Sequence, residues 1–424
     1  MVFPGGILLK FKNLKKNLKV RIVTGFFQRI ISQMIVPFIS LYLASFYGAT
    51  IAGFLTIIII ITGILSSFLG GYVSDNKGRR PVILIAEFTS FLALLLMALF
   101  NSPWIINPII TYILFLVSNA LTFFSKPALD AMVIDITTPK ERKYVFSINY
   151  WSINLSISIA AIIGSIFYQN YFFEVLVSCS IGTLVIFIVF LLFIKESKPD
   201  IILKPINENS PTNNFLRDYQ RIIMNPIFLK FFIASVLMLG IESQLMYYIS
   251  VRLTEDFPTT KLFHQWSLSG LEVYSFLRFE NTIGVVVLAL CFKSVLRNYS
   301  DKSKFYVGIV LFTLGFSILG FSNSFWILVI SMFVLTFGEI IYIPIKQAIL
   351  SILVVDNHRT KYMAVYGLHQ RFGMIIASLT LTISPFLNPY FISFIMIIMG
   401  IGSVFFYRSV INEKETKQLL EKIS

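Results

Sequence analysis

Three acids stand inside otherwise apolar runs: Glu242 beside Gln244, Glu280 beside Asn281, and Glu339. A charge taken out of water costs several kcal/mol, about 2.5–3.5 for an acid or base at the centre of a bilayer, so each asks for a reason. A carboxylate in such a place can load and release a proton, because burial and a nearby cation push its proton affinity in opposite directions. Glu242, Glu280 and Glu339 are therefore the proton-coupling candidates. The competing reading for each is an interhelical ion pair that never titrates. Arg278 lies close to Glu280, but residues two apart on a helix diverge. Lys346, seven residues or about two turns beyond Glu339, reads as an interfacial cation.

Other polar groups in apolar runs are candidates to line a substrate path. Arg29, Gln33 and Pro37 follow a four-residue spacing and share one helix face. Arg29 suits an anionic substrate group or a protonatable acid, and equally a cation that snorkels or pairs structurally. Gln244, Asn281, Asn149, Tyr150 and Asn154 join this group, although the asparagines also suit interhelical hydrogen bonds. His369 and Arg371 lie about two turns into a later run, where an imidazole responds to pH near neutrality; a lone helical histidine is more often a packing residue. His264 and His358 fall in loops. Tyr247, Tyr248, Phe337 and Tyr342 near the acids would suit cationic or amphipathic ligands, but 43 phenylalanines make aromatic neighbours common by chance.

Enzyme chemistry has no support: no His/Cys set with metal spacing, no placed Ser/His/acid constellation and no P-loop pattern. No metal and no cofactor are expected. Cys179 and Cys291, both in apolar stretches, read as packing residues.

The elements carrying these groups follow from composition. The chain has 424 residues, 56% hydrophobic and 13% charged, with mean hydropathy +0.80, whereas soluble domains carry about 25% charged residues. One run, 30 to 74, holds no charge at all. The solvent must be lipid. Crossing roughly 30 Å of hydrocarbon takes about 20 apolar residues per helix, and segmentation on that length gives spans near 22–46, 51–73, 81–101, 107–134, 144–167, 171–194, 227–251, 269–292, 305–322, 325–353, 362–386 and 390–407.

Basic residues alternate between successive loops. Lys10, Lys12, Lys15, Lys16, Lys19 and Arg21 precede the first span, and Lys77, Arg79 and Arg80, then Lys140, Arg142 and Lys143, fill alternate loops. The opposite loops 47–50, 102–106, 168–170, 323–324 and 387–389 hold none, and only Arg252 and Lys261 break the pattern. Lys and Arg stay on the cytoplasmic side, so both termini are expected there. The net charge of +14 is thus spread between spans rather than gathered on one nucleic-acid-binding face, and no nucleic-acid partner is expected. The basic start followed by an apolar span has a signal peptide's first two parts, but the span is too long and lacks a cleavage site, so it reads as a retained first helix.

The longest hydrophilic interruption, 195–226, separates six spans from six. The expected domains are a six-helix bundle over 1–194, a cytoplasmic linker over 195–226 and a second bundle over 227–424. RKYVFSINYW at 142–151 and TKYMAVYGLH at 360–369 share Lys-Tyr, and Pro127 and Pro344 sit at nearly the same offset. Two related halves with a site between them are a recurrent carrier architecture.

Between the second and third spans the chain reads Gly70-Gly71-Tyr72-Val73-Ser74-Asp75-Asn76-Lys77-Gly78-Arg79-Arg80-Pro81. Gly71 lets helix backbones approach closely, Gly78 permits a tight turn, and Asp75 can pair with Arg79 or with a helix amino terminus. GxxxDxxGRR in that loop resembles the signature of the major facilitator superfamily, and the resemblance covers essentially the whole chain. Pro127, Asp135, Arg142 and Pro37 look like the drug:proton antiporter branch. The resemblance implies an all-α membrane fold of twelve transmembrane helices, with Gly71, Asp75, Gly78, Arg79 and Arg80 forming a cytoplasmic gating loop. It also implies that Glu87 and Glu174, on the third and sixth helices outside the central cavity, are structural. The chain departs from that branch in two places. The fourth span has Ser118 and Asn119 where an arginine is usual, and the fifth has Ala160 to Gly164 without a proline. The motif is also missing from the equivalent loop of the second half, Lys293 to Lys304.

The expected function is alternating-access, proton-coupled export of hydrophobic or amphipathic compounds by a monomer in a bacterial plasma membrane, with a small molecule, protons and the lipid bilayer as partners. The alternative is a dedicated symporter or uniporter for one solute class, such as a sugar, peptide, organic anion or lipid precursor. A channel fits two related halves with a gating loop less well than a carrier does.

Overall fold

The computed structural model describes residues 14–137, 139–168, 170–197, 222–263, 266–291, 300–353 and 359–412, and they are almost wholly helical. In chain order they form α1 (Lys16–Lys77), α2 (Arg79–Leu99), α3 (Pro108–Ile136), α4 (Pro139–Tyr168) and α5 (Phe172–Phe193). Next come α6 (Pro226–Ser243), a wider π-helical turn over Leu245–Ile249, and α7 (Ser250–Asp256). The remainder is α8 (Gly270–Cys291), α9 (Asp301–Leu319), α10 (Phe325–Leu353), α11 (Arg359–Ile383) and α12 (Pro389–Asn412). Small antiparallel hairpins, β1 (Asn101–Ser102) with β2 (Ile105–Ile106) and β3 (Thr260–Phe263) with β4 (Trp266–Leu268), close two of the connections.

Among the described residues eight helices are long and apolar enough to cross a membrane: α1, α2, α3, α5, the continuous α6–α7, α9, α10 and α12. On α5 the buried residues Cys179, Ile186 and Phe190 alternate with exposed Ile181, Val185, Ile188 and Leu192, so both faces are apolar. A helix apolar all round suits lipid, where only intrahelical hydrogen bonds can satisfy the backbone.

The first expected connection is not a loop. α1 runs from Lys16 to Lys77 with a single break at Gly48 (φ 79°, ψ 162°), a left-handed backbone conformation that glycine adopts without penalty. Helix starts recur as Asn-Pro. Asn107 Oδ1 accepts from the Ile110 amide at 3.1 Å, Asn225 Oδ1 from Ile227 and Phe228 at 3.1 Å each, and Asn388 Oδ1 from Tyr390 at 3.0 Å. In each case asparagine caps amides that the helix leaves unpaired, and proline follows where no amide is needed.

The described residues of Met1–Phe46 and Ile58–Lys204 form one compact unit, and those of Tyr47–Ile57 and Pro205–Ser424 another. The first has a core of Val82, Ile83, Ala128, Leu129, Met132, Ile186 and Phe190 from α2, α3 and α5. In the second, α9 and α10 meet where both carry glycine. A Cβ on Gly338 would lie 2.6 Å from the Gly308 carbonyl oxygen, so only glycine allows this approach. The close crossing sets Phe312 of α9 against Tyr342 of α10, ring centres 5.1 Å apart.

The expected loop 252–268 is largely structured, and Arg252 within it is buried. Its guanidinium donates to the Leu319 carbonyl at 3.0 Å, the Ser322 carbonyl at 2.8 Å and Asn323 Oδ1 at 2.6 Å, capping the carboxyl end of α9. This exception to the charge asymmetry is a structural cation, held where the helix dipole favours one. Arg252→Leu strands those acceptors and should destabilise the protein by about 1–3 kcal/mol, read as a lower melting temperature in detergent.

Candidate functional site

The second unit brings Glu242 and Glu339 together. Glu339, Tyr342 and Lys346 follow spacings of three and four along α10 and so share one face, which looks toward Glu242 on α6. Glu242, Glu339 and Lys346 interact electrostatically with one another. Neither acid makes a direct ion pair with Lys346; its ammonium lies over the Tyr342 ring, 5.4 Å from the centroid. Asn281 on α8 donates to Glu339 Oε2 at 3.1 Å and to Thr336 Oγ1 at 3.0 Å, fixing the carboxylate's orientation. A cavity of about 510 Å³ opens beside the group, its wall including Leu239, Glu242, Ile343, Lys346, Tyr366 and His369. Two carboxylates and one ammonium, of which Glu242 and Lys346 face the open volume and Glu339 lies half-buried beside them, can hold a proton or a small cation and give it up again.

Glu280 is not brought into this group: none of these charged residues acts on it, and its Oε2 is buried without a hydrogen-bond partner among the described residues. Arg278 does not pair with it either, donating instead to the Tyr274 hydroxyl at 3.3 Å, one turn back on the same helix. Gln244 is buried and bonds Thr380 Oγ1 through Nε2 at 3.0 Å. The His369 ring stacks on Tyr366 at 4.1 Å, and its Nδ1 bonds the Tyr366 carbonyl, so the imidazole is both packed and at the cavity wall. Arg371 interacts with Tyr247 of the π-helical turn. Sequence reading missed Lys346 as the acids' partner, although its spacing from Glu339 and Tyr342 carried that information.

In the first unit Arg29 donates to Ser152 Oγ at 2.8 Å and lies in the field of Arg21 and Asp130. Gln28 bridges α1 and α2, donating to Glu87 and accepting from Arg21 at 3.4 Å. Glu87 thus belongs to a polar relay that the sequence reading did not foresee; Arg21 and Gln28, seven residues apart, were its trace. Gln33 and Asn149 are half-buried. The side chains of Tyr150, Asn154 and Arg142 lie outside the described residues, as do His264 and His358 and most of the expected linker.

The glycine-rich loop differs from expectation in its partners. Gly78 does make the turn (φ 95°), and Glu196 folds back to accept from the Arg79 amide at 3.2 Å and the Arg80 amide at 2.9 Å, capping α2. The Arg79 side chain pairs with Asp135 of α3 rather than with Asp75, and Asp135 also accepts from Ser197 Oγ at 3.2 Å. Arg80 donates to the Leu191 carbonyl at 2.9 Å. Within its own unit Asp75 is exposed and bonds to no described residue, because Glu196 has taken the helix amino terminus and Asp135 the arginine. The close helix approach belongs to Gly70, not Gly71. A Cβ on Gly70 would lie 1.9 Å from the Phe124 carbonyl oxygen, whereas one on Gly71 meets only Pro127 at 3.8 Å. Gly70→Ala should therefore destabilise by about 1–3 kcal/mol as α1 and α3 are forced apart, with Gly71→Ala near neutral, both read as melting temperature in detergent.

A family model described as Major Facilitator Superfamily matches residues 22–277. A Na(+), Li(+), K(+)/H(+) antiporter of Planococcus maritimus is 28% identical over 383 residues, covering 88% of this chain and 90% of that one. A multi-drug resistance efflux pump PmrA homolog of Lactococcus lactis subsp. lactis (strain IL1403) is 28% identical over 149 residues, 34% of this chain and 36% of that protein. Among solved structures, nucleoside transporter NupG aligns with TM-score 0.69 at 16% identity, covering 94% of this chain and 100% of that one. A POT family transporter in complex with a thioalcohol conjugated peptide also aligns at 0.69, with 15% identity and coverage of 94% and 99%. At these identities the structural likeness concerns the fold.

Proposed function

From the premise that this chain belongs to the Major Facilitator Superfamily, we propose that it exports a monovalent cation in exchange for protons, by alternating access. The observation that carries this reading is a pair of carboxylates, Glu242 on a cavity wall and Glu339 half-buried beside it, sharing the ammonium of Lys346 without being locked into an ion pair with it. An acid whose oxygens are not already bound to a cation is free to exchange a proton for one. The relative that matches along most of both chains is named an antiporter of monovalent metal cations against protons. An alkali ion needs only oxygen ligands, which carboxylates and cavity water supply.

In this reading twelve helices form two six-helix halves, 1–194 and 227–424, joined by the 195–226 linker, with both termini in the cytoplasm and the carrier in a bacterial plasma membrane. Opened to the side of higher proton concentration, the acid pair takes a proton and releases its cation. Opened to the cytoplasm, it loses the proton to a new cation. Asp75, exposed beside the Arg79–Asp135 pair, and the rest of the loop gate the cytoplasmic side.

A second reading keeps the mechanism and changes the cargo to lipophilic or amphipathic cations. It rests on the cavity, whose volume falls in the range of about 300–1,000 Å³ used by drug-sized ligands and whose wall adds Leu350 and Met363 to its apolar residues. Purified protein in liposomes with an internal pH dye separates the readings. Proton movement evoked by Na⁺, Li⁺ or K⁺ is the expected result. A response to lipophilic cations alone selects the second reading, and a response only to nucleosides or peptides discards both.

A further inference from the structure

We propose, resting on the antiport reading, that Lys346 is the residue that restricts the acid pair to monovalent cations. With both carboxylates ionised, Glu242, Glu339 and Lys346 sum to one negative charge. The other groups facing them add no fixed charge that would alter this sum: Asn281 from α8, Tyr342 on α10, and Tyr366 and Gln370 from α11. His369 also faces the group from α11, with its ring held on Tyr366. Of the nearby charges, Glu280 does not act on the pair, and Arg371 is engaged with Tyr247.

An apolar span tolerates a neutral group far better than a charged one. One proton or one monovalent cation brings the sum to zero, so either neutralises the group and the two exclude each other. A divalent cation would leave a net positive charge beside the ammonium and is repelled. Selectivity thus comes from a built-in repulsion as much as from an attraction.

The geometry suits that role. The Lys346 ammonium rests on the Tyr342 ring instead of on a carboxylate, so it offsets charge without occupying the oxygens the cargo needs. Only one of those oxygens, Glu339 Oε2, is engaged by Asn281. Exchange of one monovalent cation for one proton also moves no net charge across the membrane.

The test compares the parent, Lys346→Met and Lys346→Arg in liposomes, with proton flux evoked by Na⁺, Li⁺, Ca²⁺ or Mg²⁺ and with transport current read on a solid-supported membrane. The parent should respond to monovalent ions without current and ignore the divalents. Lys346→Met leaves two negative charges, so its response to divalents relative to Na⁺ should rise by at least about tenfold, whereas Lys346→Arg should keep the parent's preference. A parent that carries current or exchanges divalents overturns the proposal, as does a folded Lys346→Met that still admits monovalents only. If no metal cation moves protons in the parent, the antiport reading itself fails and takes the proposal with it. Loss of folding in Lys346→Met leaves the current measurement and the Arg variant to decide.

Discussion

Glu242→Gln and Glu339→Gln should each cut cation-evoked proton flux by about 100-fold, the lower end of what a positioned proton-transfer group contributes. Both acids interact with each other and with one ammonium, so on the antiport reading the double variant should be scarcely worse than either single one. Groups that work as a unit are non-additive in this way. The amide is nearly isosteric with the acid, and in Glu339→Gln its oxygen still accepts from Asn281, so both variants should fold, as an unchanged melting temperature in detergent would show. Glu280→Gln is the comparison, because the structure leaves that acid outside the pair. Retention of flux in either single variant, or an equal loss in Glu280→Gln, would remove the pair from the coupling step.

The second large effect concerns the loop. Arg79→Gln and Asp135→Asn should each lower transport by roughly tenfold, and combining them should show a coupling energy of about 1–3 kcal/mol. Asp75→Asn combined with Arg79→Gln should show none of that coupling, since Arg79 pairs with Asp135. Initial rates of cation-evoked proton movement across the double-mutant cycles provide the check. Coupling between Asp75 and Arg79 as strong as that between Arg79 and Asp135 would restore the pairing read from the motif alone.

These two sites mark where sequence reasoning carries and where it stops. Apolar length marked helical segments, eight of which among the described residues are long and apolar enough to cross a membrane, and the acids stood out because charge in an apolar run is costly. Periodicity along one helix fixes which residues share a face, but not which neighbouring helix that face meets. Glu280 and Glu339 looked equivalent on this basis, yet only Glu339 is turned toward Glu242 and Lys346. Asp75 was the local partner for Arg79, four residues away, whereas the acid that caps α2 lies 117 residues from Arg79 in sequence. Nothing in local spacing announces such a partner. Gly70 and Gly71 are adjacent and chemically identical, so the helix rotation that puts Gly70 against Phe124 decides their roles. Arg252 broke the charge asymmetry for a reason visible only when the carboxyl end of α9 arrives beside it.

The repeated Asn-Pro starts at 107, 225 and 388 bear on the order in which the protein is made. Each cap uses only residues within three positions of itself. A helix beginning this way sets its own first turn as it leaves the ribosome, before any neighbour is synthesised. Arg252 waits for a segment about 70 residues further on. Boundaries can thus be laid down during insertion, with the long-range polar contacts made afterwards, so a translation arrest past residue 108, 226 or 389 should catch helices that already begin at their native residues.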